Sequence, residues 1–436
     1  MEFPFVPYIA SFGYFFFGVN VYTVRLISLI AFLCIILLEF KLVKKELGQM
    51  TAIIAALLSG LLPLNSFFFN FLFSEPVMIG ASLFAIYYFS TWMSTLKIRH
   101  FILAILGFTL AILLKLEPLY LSLIFFGLFF YKYGFNYVKY KNLIFFGLIS
   151  IILPIAWYSY AYYLTYHSID VFGIFKGHDK FQTLGMLSHK TWYLLMMENL
   201  LNLAGGKLGA LLAILGFISL SLVRKGLLFF LYLAAILFYF IVVAEGNIDG
   251  PYRQLVIIPS LSCFIAVGVL TLLYPLSLIK KFPKLNQPAF FLIFSMFIVL
   301  FIQFRHNNFN KLTSTEPAHP NEWELSGIIK KYSNENSKLV TLGSYSIHKG
   351  GNDLSPVFYY YSGLQGWTLQ KNDWNQTTLE TLKNKGADLV VGYNLSREPE
   401  LQNFVSKIEG LYPVLYQNKE KGWVILSLKD KQSGFK

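Results

Sequence analysis

Apolar segments about as long as a bilayer is thick recur along this chain, and they leave it few ways to fold. About 20 apolar residues cross a hydrocarbon core. Such segments fall at 21–40, 50–64, 76–94, 101–115, 118–131, 143–163, 207–223, 227–243, 254–278 and 288–304. With no water in the core, every backbone group in those segments must be satisfied within its own helix. The expected fold class is therefore an α-helical polytopic membrane protein. Composition agrees: the 436 residues are 56% hydrophobic and only 14% charged, where soluble domains carry about 25% charged residues.

The loops orient the bundle. One set holds Lys41, Lys44 and Lys45; Lys97 and Arg99; Lys132, Lys139 and Lys141; Arg224 and Lys225; Lys280, Lys281 and Lys284. The alternate loops hold almost none, and residues 64–75 have neither Lys nor Arg. Cytoplasmic loops are the basic ones, so the first set lies inside. The net charge of +13 is then topological and points to no nucleic-acid partner. The expected location is the plasma (inner) membrane, among membrane lipids. Outside lie residues 1–20, the loops 164–206 and 244–253, and everything after Asn310.

Residues 1–20 are apolar but broken by Pro4, Pro7 and Gly13, which suits a segment lying in the interface. The stretch 190–203 reads the same way, with Trp192 and Tyr193 as anchors. Residues 21–305 form the bundle. From Leu312 to Lys436 the composition is that of a soluble chain, with apolar strands at 338–343, 387–392 and 424–428 between amphipathic helices at 322–333 and 378–386. That alternation predicts a small extracytoplasmic α/β domain.

Two cysteines, Cys34 and Cys263, both sit in apolar spans and imply no disulfide framework. The tripeptides Asn375-Gln-Thr and Asn394-Leu-Ser fit a glycosylation acceptor. No phosphate loop, dinucleotide fingerprint or nucleophile triad is present.

The unusual polar groups collect at one rim. Glu75-Pro76 opens a span and is the only acid between Glu46 and Glu117. An acid before an N1 proline complements a helix N-terminus; it can equally bind a divalent cation (Mg2+ or Mn2+) or act as a general base. Lys115-Leu-Glu117-Pro is either a helix end, with Glu117 neutralising Lys115, or a point charge for a phosphate. Arg253 runs against the positive-inside bias: it pairs with Asp249 or Glu245, or its fork holds a phosphate. Arg25 snorkels or pairs with Glu2, and Glu39 is expected at the inner rim among lysines. His167, His178 and His189 lack metal-ligand spacing, although His178 can still line a substrate pocket.

Several stretches resemble a known family. Glu2-Phe-Pro-Phe-Val-Pro-Tyr, Phe17-Gly-Val-Asn-Val-Tyr-Thr-Val-Arg25-Leu, Leu57-Leu-Ser-Gly-Leu-Leu-Pro63, Ser74-Glu-Pro-Val and Leu113-Leu-Lys-Leu-Glu-Pro are similar to the GT-C glycosyltransferases. The branch is the protein O-mannosyltransferase and aminoarabinose transferase group, glycosyltransferase family 39. Tyr252-Arg-Gln-Leu-Val-Ile-Ile-Pro259 resembles its later outer-loop motif, and Tyr359 to Trp367 resembles its bacterial tails.

The resemblance implies transfer of a sugar from a polyprenyl-phosphate donor to a lipid, glycan or protein acceptor on the outer face. It implies Glu75 as a catalytic acid, Lys115 and Arg253 on the donor phosphate, and Glu2, Glu117 and Tyr252 in the pocket. The family also carries an Asp after a preceding first helix. This chain opens downstream of that point, so the expectation is a truncated start, with loss of the acid as the alternative. Two rival functions stay open, a flippase of lipid-linked saccharide and a non-catalytic membrane scaffold. A flippase would show polar groups spread through the spans or inverted repeats, and neither is visible.

Overall fold

The computed structural model describes residues 3–62, 74–135, 137–167, 183–277, 319–342, 356–369 and 371–429, with residues 295, 298, 299 and 302 standing alone. Glu2, His178 and nearly all of the span at 288–304 lie outside the described residues. The chain divides into two compact units, one of residues Met1–Tyr163 and Asp179–Thr313, the other of Leu164–His178 and Ser314–Lys436.

The first unit is helical. Helix α1 (Phe5–Phe17) leads into α2 (Val21–Leu47), α3 (Gln49–Leu61), α4 (Ser74–Thr95), α5 (Ile98–Leu114), α6 (Leu121–Tyr133) and α7 (Tyr137–His167). Then come α8 (Thr183–Leu187), α9 (Lys190–Leu203), α10 (Gly206–Val223), α11 (Leu227–Val242), α12 (Ala244–Asp249) and α13 (Ile258–Ser277). Five stretches among the described residues are long and apolar enough to cross a membrane: Tyr22–Leu47, Ser74–Thr95, Tyr140–Leu164, Gly206–Val223 and Tyr252–Leu273. Two expected spans are broken at one end. Short 3-10 turns, Glu117–Tyr120 and Pro251–Ile257, precede α6 and α13. Pro118 and Pro251 stand in the first two positions of these turns, because proline has no N–H to give and fits only the first helical positions.

Local sequence explains the ends of the long helices. Asn20 caps α2 by accepting from the Thr23 backbone N–H at 2.9 Å. Lys44 and Lys45 in its last turn face the negative end of the helix dipole. Where α10 and α13 cross, Gly216 and Gly268 bring the backbones together. A Cβ at Gly216 would strike the Phe264 carbonyl oxygen, and one at Gly268 would strike that of Leu212. This is the small-residue contact that packs helices in lipid, where apolar burial gives no gain. Phe89, Phe125 and Phe146 close the space between α4, α6 and α7 at ring separations of 4.6–5.0 Å.

Two expectations from the sequence are corrected here. Glu39 is not at a rim. α2 runs on to Leu47, so Glu39 lies two turns inside it, fully buried, and takes a hydrogen bond from Ser262 of α13. Trp192 is not an interface anchor. It is buried in α9 and donates its indole N–H to the Ala244 carbonyl at 2.9 Å, whereas Tyr193 is exposed.

The second unit is a mixed five-stranded sheet in the order β2-β1-β3-β5-β4. Its strands are β1 (Lys338–Leu342), β2 (Gln365–Leu369), β3 (Leu389–Gly392), β4 (Val414–Asn418) and β5 (Trp423–Ser427). β1 pairs in parallel with β2 and β3, while β5 is antiparallel to β3 and β4. Helices α14 (Pro320–Lys331), α15 (Val357–Ser362), α16 (Gln376–Asn384) and α17 (Pro399–Glu409) accompany it. β1, β3 and β5 are buried along almost their whole length, which is why their sequences read as continuous apolar runs. β2, β4 and α15 are not among the expected elements, because their polar and aromatic residues carry no clear period; nor is α17, although Leu401, Val405 and Ile408 recur along it at helical spacing and are buried. Asn375 of the first glycosylation tripeptide is occupied as the cap of α16, accepting from Thr378 N–H at 2.8 Å.

Candidate functional site

Five of the rim residues singled out in the sequence come together in the helical unit. Glu75 stands in the first turn of α4, held there by Pro76. Lys115 is the C-cap of α5 and is already extended, at φ −156 and ψ 155, because the 3-10 turn containing Pro118 forbids the helix to continue. Glu117 heads that turn, and Tyr252 and Arg253 occupy the turn before α13.

Their pairing is crosswise. Lys115 Nζ donates to Glu75 Oε1, with both side chains almost fully buried. Glu117 does not neutralise its neighbour Lys115; its Oε1 lies 3.8 Å from Nη1 of Arg253. Both cations lie over the Tyr252 ring, with Lys115 Nζ at 5.4 Å and the Arg253 guanidinium carbon at 5.7 Å from its centroid. An aromatic face attracts both, so one ring holds two positive charges in the same small space.

Among the described residues the arrangement sets two acids against two bases and still leaves polar atoms open. Among the described residues, Oε2 of Glu75 and Nε of Arg253 are buried without a hydrogen-bond partner. A buried carboxylate oxygen without a partner is costly, and it is the atom that can take a proton or a hydroxyl from a ligand. A divalent cation fits poorly. Beside Oε2 of Glu75 it would meet the Lys115 ammonium, which already bonds the twin oxygen and repels a second positive charge. Among the described residues no three His, Cys, Asp or Glu side chains converge on a metal position.

Further groups support the turn that carries Arg253. Gln254 is buried and donates to the Asn247 carbonyl at 2.8 Å, and Tyr232 donates to the Val256 carbonyl at 3.0 Å. Gly246 leaves room for the guanidinium, since a Cβ there would lie 2.8 Å from Nη1 of Arg253. Tyr239, near the end of α11, is buried within electrostatic reach of Glu117, Arg253 and Glu75. Sequence reading missed Tyr239, Tyr232 and Gln254. Each stands in or beside a long apolar run, and only the meeting of helices brings it to the site. Phe3 reaches the same end of α5, its N–H donating to the Leu113 carbonyl at 3.2 Å. Glu2 and His178 lie outside the described residues.

Residues 2–160 match the family model described as dolichyl-phosphate-mannose-protein mannosyltransferase. No curated protein matches the chain. Among solved structures, ArnT from Cupriavidus metallidurans bound to undecaprenyl phosphate is similar at a TM-score of 0.58 and 12% identity, over 100% of this chain and 89% of that one. The apo state of the same protein gives 0.56 and 10%, over 98% and 87%. The fold defines the class: a polytopic membrane protein with an ArnT-like helical bundle and a small C-terminal sheet unit. Within that class, residues 2–160 match the mannosyltransferase family model, and the ArnT-like fold extends along the whole length.

Proposed function

We propose that this protein is a membrane glycosyltransferase that takes a sugar from a polyprenyl-phosphate donor and passes it to an acceptor hydroxyl at the outer face of the plasma membrane. The observation that carries this reading is the buried cluster in which Glu75 keeps one carboxylate oxygen open beside two cations stacked on Tyr252. The family match over residues 2–160 supports transfer chemistry. The ArnT crystal structure bound to undecaprenyl phosphate supports a lipid-phosphate carrier. The basic loops support an orientation with the cluster and the C-terminal unit outside.

In the reaction, the bond between the anomeric carbon and the phosphate oxygen breaks, and the phosphate leaves with the electron pair. Lys115 and Arg253 receive the growing negative charge in a site already shielded from water. The acceptor oxygen forms the new bond to the anomeric carbon and gives its proton to Oε2 of Glu75. Lys115 has two partners in turn, the carboxylate before the reaction and the phosphate as it leaves, so phosphate binding frees Glu75 to act as the base.

The test is transfer from undecaprenyl-phosphate sugars in proteoliposomes, comparing wild type with Glu75→Gln. A general base contributes about 10²–10⁴-fold, so the variant should lose transfer by that factor per mole of folded protein in the proteoliposomes. Transfer at the wild-type rate would overturn the assignment. Absence of transfer from either protein, with saccharide flux across the membrane instead, would favour the flippase.

A further inference from the structure

Helices α2, α4 and α5, with Ile9 of α1, border an open apolar groove of about 590 Å³. α2 lines it with a stripe from Ile27 to Lys41 at steps of three and four residues, which passes through Ala31 and Cys34. Across from that stripe, Pro76 and Gly80 of α4 and Gly107 of α5 keep the floor low. Among the described residues of the lining Lys41 is the only charged one, and it stands at one end. Nearby, Leu33 and Leu37 of α2 are more than half exposed, as lipid-facing residues of a spanning helix are.

The groove is separate from the charged cluster. At 100° per residue, Pro76, Val77, Gly80, Ala81 and Phe84 centre about 170° around α4 from Glu75. A phosphate held by Lys115 and Arg253 therefore lies on the opposite side of α4. From Ile27 to Lys41 the helix rises about 21 Å, much of a hydrocarbon core about 30 Å thick. That length and the apolar lining suit a hydrocarbon chain.

We propose that this groove is a binding site for a membrane phospholipid with an anionic head group, one acyl chain lying along the α2 stripe and the phosphate at Lys41. Because lipid chains are as apolar as the groove, the chain brings little selectivity; the head group does. One lysine at an anionic lipid surface contributes about 1 kcal/mol, or about fivefold.

Two native thiols supply the test. Cys34 is exposed in the groove and Cys263 is buried. The whole chain, in micelles doped with dioleoyl phosphatidylglycerol, phosphatidylcholine or undecaprenyl phosphate, is treated with N-ethylmaleimide and read by intact mass. Phosphatidylglycerol should slow modification of Cys34 about fivefold more than phosphatidylcholine does. That difference should vanish in Lys41→Gln and persist in Lys41→Arg, with Cys263 unreactive throughout as the sign of a folded protein. Equal protection by the two phospholipids overturns the site. Stronger protection by undecaprenyl phosphate than by phosphatidylglycerol overturns it too, and assigns the groove to the carrier lipid. Protection that depends on protein concentration and not on lipid assigns it to a second copy of the chain.

Discussion

The buried pair Glu75–Lys115 makes a quantitative prediction that does not depend on any substrate. Glu75 is 2% and Lys115 6% exposed, so removing either one strands the other's charge away from water. Breaking a buried pair from one side costs about 3–5 kcal/mol, whereas replacing both partners with uncharged residues is often close to neutral. Glu75→Gln and Lys115→Met should each destabilise the bundle by at least about 3 kcal/mol, and the double variant should be no worse than either single one. The coupling is then as large as a single effect, well above the 0.3–0.5 kcal/mol scatter of independent sites. Unfolding can be followed by the exposure of Cys263, which is fully buried, to a thiol-reactive fluorophore in a Cys34→Ser background. Simple addition of the two single effects would refute the reasoning, because it would mean that the carboxylate and the ammonium do not share a buried pair.

Other expectations follow from the same structure. Arg253→Ala should lower transfer by about 10²–10³-fold, as for loss of one preorganised charge-stabilising donor, and Arg253→Lys should restore only part, because an ammonium lacks the planar fork. Gly216→Leu should abolish correct assembly, seen as loss of a monodisperse peak in detergent, since its side chain would enter the Phe264 backbone. In the sheet unit, burial raises the Tyr359 hydroxyl above its ordinary 10.0 while it bonds Thr341 Oγ1 at 2.9 Å and Thr368 Oγ1 at 3.1 Å. The fold therefore prefers the protonated tyrosine, so its contribution is complete below pH 10 and fades as pH rises beyond it. Tyr359→Phe should cost about 1 kcal/mol at neutral pH and flatten the loss of stability above pH 10, read by denaturant titration of tryptophan fluorescence. Chelation by EDTA should leave transfer unchanged, because Lys115 already fills the cation position beside Glu75.

Much of this architecture is written in short-range pattern. Apolar length dictated the helices α2, α4, α7, α10 and α13, because in a bilayer a long apolar segment has no alternative to a helix. Prolines 76, 118 and 251 fixed where helices begin, and the buried strands β1, β3 and β5 announced themselves as apolar runs. Glu75, Lys115, Glu117 and Arg253 were conspicuous one by one, because charge beside an apolar span is rare. Only the tertiary structure decided who pairs with whom. Lys115 and Glu117 are two residues apart in sequence yet turn to different partners, Glu75 and Arg253. The kink at Pro118 aims the two side chains in different directions. The same holds for Glu39, whose neighbours on α2 suggested a wet rim until α13 packed Ser262 against it, and for Tyr239, an aromatic in an aromatic run. Hydrophobicity and helix punctuation are properties of neighbouring residues, so the sequence determines them alone. Charge pairing is settled by distances of a few ångströms between segments far apart in the chain, and these exist only once the helices have packed.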